Sequence, residues 1–366
     1  MKSFHFLFYT SSHGLGHSTR MIEVANNIPS SHKVTFATSA PEWIYRSSMT
    51  RPYSYRMTKI DSGVIQKDFL TVCEEETLRD YSALLENREK IINDEVIWNK
   101  TGKVDLIISD IPPLAFPVAK KLSVPSTGIA NFSWDWIYTP MIKKYPDYSH
   151  IIESIQRDYK LADLVLSLPV NGDMSVFPFV KQLPLIARKS RLSRKEIRKK
   201  LNIGTEQKLI LCSFSNFSMV NIDFVHLSEE LKDFILISFN GDFPDDYNNI
   251  IKLDNCGNIS HEEAVAVADI VVCKPGYGMV AETIVNRTPV LYISRKDYIE
   301  NTILVEGLNK YGIAEEISKE DFLSGKWRVY INKLLSRNKT WQSIDSSGAK
   351  IAVKEIFNLL LQHQVN

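Results

Sequence analysis

Ser12-His13-Gly14-Leu15-Gly16-His17-Ser18-Thr19-Arg20 is the stretch that decides the fold. Ahead of it runs Phe4-His5-Phe6-Leu7-Phe8-Tyr9, an apolar and aromatic run with the pattern of a buried strand. Behind it, Met21-Ile22-Glu23-Val24-Ala25-Asn26-Asn27-Ile28 has helical spacing. A strand, a glycine-rich turn and a helix in succession open an α/β sheet, whose ligands bind outside the carboxyl ends of the strands. The start of such a helix offers unpaired N–H groups to an anion or a polar substrate. The turn is not a dinucleotide fingerprint, because Ser18-Thr19 stands where a third glycine is needed, and it lacks the Gly-Lys-Ser/Thr of a P-loop. It presents His13 and His17 instead.

The alternation continues outward from this turn. Lys33–Thr38, Val104–Asp110, Val124–Ile129 and Leu164–Leu168 read as further strands, with an Ala/Val/Leu helix through Leu122 between two of them. Strands separated by helical stretches imply βαβ units and a parallel sheet. After Pro184 comes a basic run, Arg188, Lys189, Arg191, Arg194, Lys195, Arg198, Lys199 and Lys200, read as a linker with a solvated helix. The pattern then restarts with Lys208–Phe214, Phe234–Phe239, Ile270–Cys273 and Pro289–Ile293. The expected organisation is a first α/β domain over 1–185, a basic linker over 186–207, a second α/β domain over 208–338 and a C-terminal helix over 339–366. Two such halves suggest two Rossmann-like parallel sheets facing across a cleft.

A chain of 366 residues is too long for one core, which agrees with that division. Its net charge of +1 provides no global field to hold nucleic acid or an anionic membrane. Cys73, Cys212, Cys256 and Cys273 form no CxxC pair, and Cys212 and Cys273 lie in apolar runs, so buried thiols are expected rather than disulfides or zinc. No apolar run approaches membrane-spanning length, and a cytoplasmic enzyme is the expected class.

Chemistry concentrates at strand ends. Asp110 closes the strand begun at Val104, and a carboxylate beside His17 would fix the imidazole tautomer and raise its basicity, as in a general-base dyad. Asn131-Phe132-Ser133-Trp134-Asp135-Trp136-Ile137-Tyr138 offers either a stacking wall for a sugar or base or a core-covering loop; Asp135 between two tryptophans is unusual for a core and keeps the wall open. In the second half, Lys274-Pro275-Gly276-Tyr277-Gly278-Met279-Val280-Ala281-Glu282 is another glycine-rich turn opening a helix, suited to phosphate oxygens. Glu282, about one and a half turns into that helix, could accept hydrogen bonds from a ribose diol; a tight turn with a solvated glutamate is the competing reading. Arg295-Lys296-Asp297-Tyr298-Ile299-Glu300-Asn301 follows the next strand and points its acidic residues to the same end of the sheet, though Asp297 could equally cap a helix.

These stretches together resemble GT-B glycosyltransferases. The resemblance is nearest to the glycosyltransferase-like N-terminal domain of plant-type L-arabinokinases and their bacterial relatives, and extends to the family that adds N-acetylglucosamine in lipid II synthesis. It spans residue 4 to about 315 and rests on His13–Arg20, Asn131–Tyr138, Lys274–Glu282 and Arg295–Glu300. No galactokinase-type phosphate loop is found, so the arabinokinases' kinase half is not expected here. The resemblance implies that His17 deprotonates an acceptor hydroxyl and Asp110 orients it. It places a diphosphate on Gly276, Tyr277 and Gly278 and a ribose on Glu282. It puts the donor sugar on Asp297, Glu300 and Asn301, with Gly16, Ser213 and Ser215 as further donor contacts. The acceptor side falls to His13, Trp134, Asp135 and Trp136. The Gln-Gln or Asp-Gln pair of many of these enzymes is Ile299-Glu300 here, which leaves the donor sugar open.

The expected activity is inverting, metal-independent transfer from a nucleotide-diphosphate sugar, with UDP favoured by the resemblance and no other cofactor. No Asp-x-Asp motif ends a strand, and Asp245-Asp246 sits in a polar stretch. The alternatives are a non-catalytic sugar-nucleotide-binding module, a phage-type glycosyltransferase acting on DNA bases through the basic run, and a GT-B epimerase, less favoured for want of this histidine turn. The acceptor is unassigned, with nucleic acid the less favoured choice.

Overall fold

The computed structural model describes residues 2–214, 222–239, 243, 249–338 and 340–365. The chain forms two units, one made of residues 1–65, 72–186 and 345–366, the other of residues 66–71 and 187–344.

The first unit holds a sheet built from β1 (His5–Thr10), β2 (Lys33–Thr38), β3 (Ser54–Met57), β4 (Leu106–Asp110), β5 (Ser126–Ala130), β6 (Leu164–Ser167) and β7 (Val180–Gln182). Its spatial order is β3-β2-β1-β4-β5-β6-β7, and every pairing is parallel. β1, β4 and β5 are buried along their whole length. Strands covered on both faces need no polar alternation, which is why β1 and β4 read as largely apolar runs, whereas β5 is buried with small residues, Ser-Thr-Gly-Ile-Ala. β7, with the sequence Val-Lys-Gln, is exposed throughout, and an edge strand of that composition carries no such signal.

The second unit repeats the plan with β8 (Lys208–Ser213), β9 (Phe234–Ser238), β10 (Ile250–Lys252), β11 (Ile270–Cys273), β12 (Val290–Tyr292) and β13 (Ala314–Glu316), ordered β10-β9-β8-β11-β12-β13 and again parallel throughout. In both sheets the strand order reverses beside the first strand, between β1 and β4 and between β8 and β11. Ligands of doubly wound sheets bind at that switch point. Cys212 and Cys273 are buried free thiols within these strands, and burial pushes the Cys273 thiol up to about 12.

Two segments join the unit that is remote from them in sequence. In 66–71, Phe69 is buried with its ring 5.1 Å from Phe214 and 5.7 Å from Phe322, closing the second core. The C-terminal helix Gly348–Val365 belongs to the first unit, where Phe357 lies 5.3 Å from Phe6 and 5.1 Å from His32. The basic run carries the helix Arg194–Lys200, opened by a Ser193–Glu196 capping box. No helix among the described residues is long and apolar enough to cross a membrane.

Candidate active site

The first site grows from the turn after β1. Gly14, at φ +75°, caps the helix Leu15–Asn26 without a side-chain hydrogen bond to the helix start. His17, Arg20 and their neighbours on the inner face of that helix are buried. Asp110 ends β4 in register with Thr10 of β1, so it reaches the same switch point from the adjacent strand. The two residues meet: His17 Nδ1 lies 2.9 Å from Asp110 Oδ1, with Asp110 wholly buried and His17 6% exposed. With the Nδ1 proton donated to Asp110, Nε2 carries the lone pair, the arrangement of an oriented general base.

Arg20, quoted in the motif but given no role by the sequence reading, is part of this cluster. One turn along the helix from His17, its guanidinium donates to both oxygens of Asp110 and, through Nη1, to Asn131 Oδ1 at 2.6 Å. Its Nη2 also lies 2.9 Å from His17 Nδ1. Burial acts to raise the Asp110 carboxyl, but Arg20 and His17 outweigh it and hold Asp110 below the usual carboxylate range. Asp110 is therefore shared. Arg20 pairs with both of its oxygens while Oδ1 also holds His17 Nδ1, so Asp110 positions the ring as part of a three-residue cluster.

Asp61 is a second residue of this cluster that the sequence does not single out. It is 5% exposed and accepts the Trp134 indole N–H at 3.2 Å and the Ser62 backbone N–H at 2.8 Å. Burial raises its carboxyl, only partly offset by the Ser11 hydroxyl and by His17 nearby. Nothing in its irregular surroundings signals this position. Trp134 is fully buried, its ring stacked on Tyr138 at 5.4 Å, so it builds the floor of the site rather than an open wall. His13 is half-buried, 5.5 Å from the Trp134 ring and 6.4 Å from His17. Its Nδ1 accepts the Val64 N–H at 3.2 Å. Gly63 lies directly under it: φ is +73° and a Cβ there would sit 2.9 Å from His13 Cβ. Asp135 accepts from Gln156 at 3.1 Å through one oxygen, while the other, Oδ1, is buried with no hydrogen bond. Trp136 packs its ring over Gly172. Gly16 lies partly open in the first turn of the helix.

The second site grows from the turn after β11. Gly276 caps the helix Tyr277–Asn286 without a side-chain hydrogen bond, and a Cβ there would meet nothing within 4 Å. Neither packing nor backbone torsion requires glycine at this point; what it leaves is open space against the helix N-terminus. Tyr277 is buried and Gly278 partly exposed. Glu282 is 3% exposed, neither a cap nor a solvated glutamate. Its Oε1 accepts from Arg188 at 2.6 Å, and its Oε2 lies 2.9 Å from His261 Nδ1. Arg188 and His261 outweigh burial and hold the Glu282 carboxyl low. His261 Nε2 in turn lies 3.0 Å from Ser213 Oγ at the end of β8. Ser213, His261, Glu282 and Arg188 thus form one network, and His261 was not anticipated. Ser215 and Asp245-Asp246 lie outside the described residues.

After β12, Glu300 and Asn301 are buried while Asp297 is exposed. Asn301 Oδ1 accepts the Arg295 N–H at 3.0 Å and so closes this loop. Beside them stands Lys274, its Nζ 3.1 Å from Gln66 Oε1. Burial, reinforced by Arg295, lowers its ammonium to about 7. Part of the basic run is engaged inside the second unit, Arg188 on Glu262 and Glu282, Arg194 on Asp269, and Arg198 on the Gly204 and Gln207 carbonyls, while Lys189, Arg191, Lys195 and Lys199 are exposed.

No protein-family model matches the chain. The L-arabinokinase of Arabidopsis thaliana is 29% identical over 352 residues, which are 95% of this chain and 33% of that protein. The chain therefore spans about a third of the length of this curated relative. Among solved structures, the spinosyn forosaminyltransferase SpnP superposes with a TM-score of 0.62 at 11% identity, covering 99% of this chain and 96% of SpnP. UGT2 of Phytolacca americana, solved with UDP-2-fluoro-glucose and pterostilbene, gives 0.59 at 13% identity over 99% and 95%. MurG of Acinetobacter baumannii gives 0.54 at 12% identity over 98% and 100%. The fold is that of the GT-B glycosyltransferases.

Proposed function

We propose that the protein is a glycosyltransferase that moves a sugar from a nucleotide-diphosphate donor, UDP favoured, to an acceptor hydroxyl with inversion. The observation that carries this reading is the His17–Asp110 contact of 2.9 Å at the switch point of the first sheet. His17 Nε2 removes the acceptor proton as its oxygen attacks the anomeric carbon, Asp110 and Arg20 keep the ring turned to that task, and His13 borders the acceptor. The donor lies on the second unit. Its diphosphate rests on the backbone N–H groups at Gly276, Tyr277 and Gly278, with Lys274 beside them; these groups stabilise the leaving group without requiring a metal ion. Glu282 keeps lone pairs beyond those used by Arg188 and His261, so it can still accept from a ribose diol. The net charge of +1 provides no global field to hold nucleic acid, and three of the basic run's arginines are engaged internally, so a nucleic-acid acceptor is the less favoured reading.

The test is His17→Ala. The variant is expected to fold and to bind UDP as the parent does, while transfer, or donor hydrolysis where no acceptor is supplied, falls by about 10²–10⁴-fold. Parental turnover in that variant would remove the assigned base. A parent that binds UDP-sugars and never cleaves them, whatever acceptor is supplied, would make the chain a binding module.

A further inference from the structure

The carboxyl ends of β11 and β12 are neighbours, with Cys273 paired to Tyr292. A cation follows each, Lys274 directly and Arg295 shortly after. Arg295 is 5% exposed, and its guanidinium carbon stacks 4.3 Å from the centre of the Tyr298 ring. Among the described residues this guanidinium has no hydrogen bond or ion pair, and its Nε and the Tyr298 hydroxyl are both buried with no partner. The other buried arginines are satisfied: Arg20 by Asp110 and Asn131, Arg51 by the Ile28 and His32 carbonyls, Arg198 by the Gly204 and Gln207 carbonyls. A buried cation left in that state is unfavourable until an anion completes it. Lys274 agrees: burial and the adjacent Arg295 disfavour its charged form, with Asp68 and Glu300 opposing them only in part.

We propose that Arg295 and Tyr298 form a subsite for a carboxylate on the donor's sugar, so that the preferred donor is a nucleotide-diphosphate uronic acid. This rests on the nucleotide-sugar reading above. The diphosphate already has the helix N-terminus and Lys274, whereas Arg295 lies on the loop given to the sugar, with Glu300 and Asn301. The Nε edge of a guanidinium presents two parallel donors that match a carboxylate, and the Tyr298 hydroxyl adds a third. A neutral hydroxymethyl group in that place would leave the guanidinium unpaired, and a site built for a polar partner rejects a ligand that lacks it.

Calorimetric titration of the full chain with UDP, UDP-glucose and UDP-glucuronate tests the assignment. The parent is expected to bind the glucuronate at least about tenfold more tightly than the glucose donor. Arg295→Gln should level the two donors and leave UDP alone unchanged, and Tyr298→Phe, which removes only the hydroxyl, should narrow the gap. Equal affinity of the parent for both sugars overturns the proposal. So does an Arg295→Gln chain that loses UDP as much as UDP-glucuronate, since the guanidinium would then serve the diphosphate. A parent that binds no UDP sinks the nucleotide-sugar reading itself; one that binds UDP without a sugar preference sinks only the uronate. If Arg295→Gln does not fold, Tyr298→Phe decides: an undiminished preference for the glucuronate overturns the subsite.

Discussion

Asp110 has two duties, and a substitution can separate them. It orients His17, and it is the counter-ion of Arg20, which is 4% exposed. Removing one member of a buried pair leaves an uncompensated charge and typically costs about 3–5 kcal/mol. Asp110→Asn is therefore expected to lower unfolding stability by about that amount in urea titration, and Arg20→Met added to it should recover part of the loss. If the single variant is as stable as the parent, Arg20 does not depend on Asp110. The pH dependence has a definite sign. The folded-state value of Asp110 is depressed, so its stabilisation is fully present above the unfolded carboxylate value of about 4 and is lost as pH falls below it. Acid should therefore weaken the parent through this group and have no such effect on Asp110→Asn. The sequence made His17 and Asp110 legible because each sits at the end of a strong local pattern. It could not reveal Asp61 or the sharing of Asp110 with Arg20. Those partnerships come from residues distant in the chain, Asp61 from an irregular stretch, and hydropathy carries no information about which side chains will face one another.

Elements were legible where burial selects apolar residues and illegible where the backbone is exposed. The strands β1, β4, β8 and β11 announce themselves as apolar runs because helices cover both faces. β13, Ala-Glu-Glu, lies at a sheet edge and has no pattern to read. Trp134 stays between two readings in the sequence for a related reason: composition marks an aromatic residue as useful for stacking but does not say whether its face is covered, as it is here. The turn holding Gly63 is equally silent in sequence, yet it fixes a site residue. A side chain at φ +73° is strained by about 1–2 kcal/mol, and the added Cβ would also press on His13. Gly63→Ala should lower the urea midpoint by a corresponding amount and displace His13, read as a shift of the His13 imidazole resonances in NMR spectra of the parent and the variant. An unchanged midpoint would mean that the loop relaxes freely and does not hold the histidine.

At the scale of the molecule, chain order and unit membership part company. The last helix, Gly348–Val365, packs in the first unit, although the chain reaches it only after completing the second. Phe357 meets Phe4 at 6.5 Å, Phe6 at 5.3 Å and His32 at 5.1 Å, and Ala352, Ile356 and Leu360 are buried on the same helix. Each large apolar side chain removed from water contributes about 1.5–3 kcal/mol, so this helix carries a sizeable share of the stability of a unit whose net margin is about 5–15 kcal/mol. Deleting residues 345–366 exposes Phe6 and its neighbours next to the helix that bears His17. The expected outcome is selective: the first unit melts at a lower temperature, binds a hydrophobic dye and is cut by protease within 1–186, while the second unit keeps its transition. Equal destabilisation of both transitions would show that the helix supports the whole chain rather than the unit it covers, and an unshifted first transition would show that its apolar face contributes nothing.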